Sequence, residues 1–124
     1  MQKIVCCNLE IKRIISSIEE NSSISGKGYY KNDNSEIVVF FSSDDFKYKY
    51  VYKDNLLIVF CNESKYVFEN NKKNFGEIKN GDLCFKITTL TSNIEVKDNS
   101  IKLDYSLYQG DSLIGVYYSK LSFN

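Results

Sequence analysis

The run Phe46-Lys-Tyr-Lys-Tyr-Val-Tyr-Lys53 is where residue types and spacing first suggest chemistry in this chain. Rings interleaved with lysines are what a single-stranded nucleic-acid platform uses, with bases stacked on the rings and phosphates held by ammonium groups. Strand geometry argues against that use. Successive side chains on a strand point to opposite faces, so Phe46, Tyr48, Tyr50 and Tyr52 fall on one side and Lys47, Lys49 and Lys53 on the other. A platform needs both kinds on one side. The acidic residues Asp44, Asp45 and Asp54 also flank the run. The pattern predicts an amphipathic barrel strand with its rings inward. Buried tyrosine hydroxyls need partners, which makes Tyr48 and Tyr50, with Tyr105 from a later strand, candidate ligand contacts.

The other chemistry-bearing residues are sparse. The chain has no histidine, which removes Ser-His-Asp and Cys-His nucleophiles and the usual nitrogen ligand of zinc. Glu19/Glu20 and Asp44/Asp45 are adjacent carboxylates, and neighbours on extended backbone diverge, so they read as solvated turn residues. Asp33-Asn-Ser-Glu36 lacks the glycine and the distal glutamate of a calcium loop. Gly26-Lys-Gly28 precedes no helix and so is no phosphate loop. Arg13, the only arginine, has the planar fork that grips an anionic group bidentately. It is a candidate ligand contact whose structural alternative is an ion pair at a barrel end. Cys6 and Cys7 point to opposite faces of a strand, Cys61 and Cys84 stand alone in apolar runs, and no metal-ligand spacing links the four. Four free thiols are expected, with no metal and no cofactor.

The elements that position these residues come from alternation. From Lys3 onward, runs of Ile, Val, Tyr and Phe alternate with clusters of Asn, Asp, Gly and Ser. Period-2 runs with frequent turn signals indicate an all-β sandwich or barrel. Residues 3–20 read as a long first strand with a register slip near Arg13–Ile15, assigned to a β-bulge. A turn at Asn21–Ser23 and a second strand at Ile24–Lys31 follow. A helix over 11–20 competes, because Ile11, Ile14, Ile15 and Ile18 share a helical face. About eight further strands run to Phe123, among them Leu83–Leu90 and Asn93–Lys97 as separate strands, with Asn80–Gly81 as the strongest hairpin signal. Strands joined in order by short turns form a meander, and closing a long meander removes its edges. The inward face is expected to hold Leu9, Ile11, Val39, Tyr48, Tyr50, Ile58, Phe85, Ile87, Leu103, Tyr105 and Leu107.

At 124 residues the chain is one domain, 1–124. Sixteen basic and sixteen acidic residues leave no net charge, so the positive field that nucleic-acid or membrane-surface binding draws on is lacking. No stretch reaches the roughly 18 apolar residues of a membrane helix, and the N-terminus lacks the apolar run of a secretory signal. A cytoplasmic location is expected. Pro, His, Trp and Ala are absent while Asn, Lys and Ile abound, the mark of an AT-rich coding sequence.

The C-terminal half carries a resemblance. Lys65-Tyr-Val-Phe68, Asn74-Phe-Gly-Glu-Ile78, Gly81-Asp-Leu-Cys-Phe-Lys-Ile-Thr-Thr-Leu90 and Ile101-Lys-Leu-Asp-Tyr-Ser-Leu-Tyr108 with Gln109-Gly110 resemble strands and turns of the YwiB-like family of small bacterial proteins. Gly28-Tyr-Tyr30 and Ile37–Phe41 fit its early region. The chain departs from the family where Ile78-Lys79-Asn80 stands in place of a Thr-Pro and where Phe60-Cys61-Asn62-Glu63 stands in place of an arginine and a glycine. The resemblance implies a calycin-like barrel, similar in shape to lipocalins and streptavidin, and brings no catalytic residues with it.

Together these readings predict an antiparallel, calycin-like meander barrel of about eight to ten strands. The leading expectation is a non-enzymatic barrel binding a small, partly apolar molecule through Tyr48, Tyr50, Tyr105 and Arg13. The alternatives are a protein-interaction module using a sheet edge or the outer barrel surface, and an enzyme using barrel-lining tyrosines and carboxylates. A void of about 300 Å³ or more would favour the first.

Overall fold

The computed structural model describes residues 2–124. Ten antiparallel strands make up the fold: β1 (Gln2–Ile15), β2 (Ile18–Asp33), β3 (Glu36–Ser42), β4 (Lys47–Lys53), β5 (Leu56–Cys61), β6 (Ser64–Glu69), β7 (Lys73–Asn80), β8 (Leu83–Lys97), β9 (Ser100–Gln109) and β10 (Ser112–Phe123). Each pairs with its neighbour in sequence, and β1 pairs with β10 to close the ring.

Two-residue loops set the register of several hairpins. Ser16–Ser17, Asn34–Ser35 and Asp54–Asn55 each hold two consecutive positive φ angles, the signature of the type I′ turn, whose twist matches that of the flanking strands. The first of these corrects the sequence reading. Residues 3–20 are not one bulged strand and 11–20 is not a helix: the chain reverses at Ser16–Ser17, and Arg13 pairs with Glu20 across the hairpin. Asn21–Ser23 is therefore not a turn but the interior of β2. Serine gives little of the positive-φ signal that Asn-Gly gives, and the isoleucines on both sides of the turn hid it. In the β7–β8 hairpin, Gly81 carries the positive φ while Asn80 closes β7. The segments 83–90 and 93–97 are one strand, β8, with an irregularity between Thr91 and Asn93.

The interior is apolar. Val5, Cys7 and Leu9 of β1, Val39 and Phe41 of β3, Leu57 and Val59 of β5, Phe68 of β6, and Leu121 and Phe123 of β10 form one buried cluster with Tyr48 and Tyr50. Ile87, Leu103 and Leu107 are also buried, as expected. Two of the expected inward residues lie outside the packed interior. Ile58 lies on the outer face, where it is paired with Val51 and Val67, because Leu57 and Val59 are the buried residues of β5. Leu56–Cys61 is apolar at every position, so alternation cannot tell its two faces apart, and a shift of one residue exchanges them. Phe85 shares the face of Ile87 but lies beyond the packed core and is 40% exposed. Phe46 precedes β4, and its ring sits 6.1 Å from that of Tyr48 at the barrel rim.

The seam between β6 and β7 is thin. Their one ladder pair is Lys65 with Glu77, and side chains supplement it: Lys79 N–H donates to Ser64 Oγ, and Thr89 of β8 donates to the Val67 carbonyl.

Candidate functional site

Alternation along β4 puts Tyr48, Tyr50 and Tyr52 inward and leaves Lys47, Lys49 and Lys53 exposed. The same alternation brings in Cys61 from β5, Tyr66 from β6, Tyr105 from β9, and Tyr117 with Ser119 from β10. These side chains border a cavity of about 160 Å³ whose remaining walls include Leu9, Val59, Leu103 and Leu107. The rings lean on one another. Tyr105 stacks on Tyr117 at 5.0 Å and meets Phe68 at 4.6 Å, and Tyr48 lies 6.5 Å from Tyr50. Such pairs add to area burial and hold ring orientation.

The polar groups around the cavity are neutral. Burial, reinforced by the neighbouring Cys61 thiol, pushes the Tyr48 and Tyr50 hydroxyls far above the ordinary phenol range. It pushes Tyr66 up to about 12. Tyr105 is raised well above its usual value by burial and then by the surrounding tyrosines. Burial also raises the Cys61 thiol, while the neighbouring Tyr48 hydroxyl acts in the opposite direction. Neither lysine nor carboxylate lines this space. What the arrangement offers is hydrogen-bond donation from uncharged hydroxyls inside an apolar wall.

Tyr48, Tyr50 and Tyr105 are thus brought together, while Arg13 lies outside the lining. Its Nη1 sits 2.7 Å from Glu20 Oε1, and its Nη2 donates to the Ile114 carbonyl at 2.6 Å. The Nε is buried without a partner among the described residues, against Gly115, where a Cβ would stand 2.9 Å from it. The guanidinium closes the end of the β1–β2 hairpin. Tyr66, Tyr117 and Cys61 were missed as site residues. Their inward positions follow from alternation, but nothing local marks them as converging on Tyr50, since they come from strands far apart in sequence.

The raised hydroxyls carry a pH consequence. In the unfolded chain these tyrosines ionise near about 10, and in the folded chain they hold their protons higher. Their contribution to stability is complete below about pH 10 and is lost as pH climbs above it, because the unfolded state then releases protons first. Ultraviolet titration of the folded protein at pH 11 should show at most six of the ten tyrosines ionised, with Tyr48, Tyr50, Tyr66 and Tyr105 silent until unfolding. Full ionisation of the folded protein at that pH would mean that the hydroxyls are wet.

No known protein family matches the chain by sequence. No curated protein matches it either. Its fold does have a counterpart among solved structures. The crystal structure of ywiB protein from Bacillus subtilis superposes with a TM-score of 0.83, covering 99% of this chain and 92% of that one at 10% identity. At that identity the likeness is one of fold: a small closed β-barrel.

Proposed function

We propose that this barrel is a non-enzymatic, cytoplasmic binding protein of the calycin-like type. Its ligand is a single small molecule with an apolar body and at least one hydrogen-bond acceptor. The observation that carries the reading is the convergence of tyrosine hydroxyls from β4, β6, β9 and β10 on one interior cavity. The size limits the ligand. The cavity, at about 160 Å³, falls short of the roughly 300 Å³ that would favour a ligand-binding barrel; it is close to the roughly 150 Å³ apolar cavity that holds benzene, so it supports a ligand of one ring and nothing larger. Neutral donors favour a carbonyl or ether oxygen and disfavour a cation. An enzymatic role has less support, since the cavity lacks a carboxylate and its thiol is held neutral. The cytoplasmic reading is supported by four unbridged cysteines, which suit a reducing compartment.

Native mass spectrometry of gently purified protein should show a bound mass of one small molecule. Thermal shift with benzaldehyde, which carries an acceptor, should exceed that with toluene, which has the same body and none. Cys61→Met, which fills the space with a flexible side chain, should abolish both shifts while keeping the fold. If no mass is bound and neither probe raises Tm, the tyrosines are packing and the reading fails.

A further inference from the structure

The outer surface holds an organisation that the cavity does not use. β5 is apolar on both faces: Leu57 and Val59 fill the core, while Leu56, Ile58 and Phe60 point outward. An antiparallel strand with one face in water normally alternates with polar residues on that side. Ile58 is paired with Val51 of β4 on one flank and with Val67 of β6 on the other. Counted antiparallel from Lys65–Glu77, the one ladder pair of β6 and β7 among the described residues, Val67 falls opposite Phe75 of β7, which is 75% exposed. A row of apolar side chains thus crosses β4 to β7 on the outside.

The charges beside this row are antisymmetric. On β6 the outward residues read Lys65, Val67, Glu69, and on β7 they read Lys73, Phe75, Glu77, each with an apolar residue centred between opposite charges. The strands are antiparallel, so Lys65 and Glu77 flank one side of the row and Glu69 and Lys73 the other. Neither Lys65 nor Lys73 takes part in an ion pair among the described residues; Glu69 is bridged to Lys72 and Glu77 to Lys79. A two-fold axis laid along the row turns each strand of one molecule antiparallel onto its mate in another. Lys65 then faces Glu69 of the second copy, Glu77 faces its Lys73, Phe60 faces its Leu56, and Ile58, Val67 and Phe75 each meet themselves.

We propose that this face, centred on Ile58, Val67 and Phe75, pairs two copies of the chain as a two-fold dimer. A self-complementary patch is what an isologous interface requires, and zero net charge leaves no long-range repulsion between copies. Like-charged Lys49 and Lys53 on β4 would oppose each other and set the limit of the contact on that side. A groove bounded by Lys65, Phe75, Gly76, Glu77 and Lys86 follows the thin β6–β7 seam and gives the partner's ring a seat.

Sedimentation velocity on the wild-type chain should give a species of twice 14.4 kDa at about 100 μM. Phe75→Lys should give a monomer with an unchanged far-ultraviolet spectrum, whereas Tyr118→Lys, on the outer face of β10, should leave the dimer intact. Lys73→Glu and Glu77→Lys should each weaken dimerisation roughly tenfold, since each sets like charges opposite each other. The double exchange Lys73→Glu/Glu77→Lys should restore it, because only contact with the same face of another copy re-pairs both charges. A wild-type monomer at that concentration, a dimer indifferent to Phe75→Lys, or a double exchange no better than the singles would each overturn the proposal.

Discussion

Gly28→Ala is expected to cost more than about 4 kcal/mol and to leave little cooperatively folded protein at 25 °C, a loss that only a few kinds of substitution produce. A Cβ built on Gly28 collides with the Phe40 carbonyl oxygen and falls 2.6 Å from the Phe41 Cα. These are backbone atoms in the facing strand, where Gly28 is paired with Phe41, so no rotamer change relieves the clash. Glycine within a strand marks such close backbone approach, and here it lets β2 lie against β3 over Phe41, one of the largest fully buried side chains. Gly110→Ala is the control. Gly110 has a φ of +60° with open space where a Cβ would go, so the cost there is the local strain of a left-handed alanine, about 1 kcal/mol. Urea unfolding of the two variants should separate them by several kcal/mol. A Gly28→Ala protein within about 1 kcal/mol of wild type would mean that the β2–β3 spacing is wider than described.

Gly28 also shows how much of the molecule its sequence declares. The glycine could be read as a point of close approach, but which backbone atoms it meets depends on the β2–β3 register, which the Asn34–Ser35 turn sets. Where strands alternate clearly, as in Phe46–Lys53, the facing of every side chain except the rim residue Phe46 was legible, and so was the barrel. Where a strand is apolar throughout, as in Leu56–Cys61, alternation is silent, and Ile58 was assigned to the wrong face. The same silence concealed the outer apolar row, since a residue assigned to the core cannot be noticed outside it. Two of the site's partners, Tyr66 and Tyr117, lay beyond local reading because a cavity is a property of closure: it brings together β4, β6, β9 and β10, which no short pattern connects. Arg13 illustrates the converse. Its rarity in the chain drew attention, yet its contacts are those of a hairpin end.

Tyr50→Ala is expected to cost about 3–5 kcal/mol, as much as or more than Leu103→Ala, because the ring is packed even though it borders the cavity. The expectation for a hollow interior is the reverse, with the tyrosine losing less than the leucine. At about 160 Å³ the cavity is too small for most of the ring's perimeter to be free, and Tyr50 is only 4% exposed within the main core cluster. Its hydroxyl is a separate matter. Tyr50→Phe keeps the ring and should cost less than about 1 kcal/mol, since a net hydrogen bond contributes about that amount. The two variants therefore separate ring packing from hydroxyl chemistry, provided that unfolding slopes in urea match. Truncation to alanine also enlarges the cavity by about one phenol ring, so p-cresol should stabilise Tyr50→Ala by more than it stabilises wild type. A ligand at about 100 times its Kd returns about 2.7 kcal/mol. If Tyr50→Ala loses little and p-cresol stabilises both proteins alike, the interior is roomier than its geometry indicates, and the ligand can be larger than a single ring. If Tyr50→Phe loses as much as Tyr50→Ala, the hydroxyl is committed to a structural partner, and donation to a ligand must come from Tyr66, Tyr105 or Tyr117.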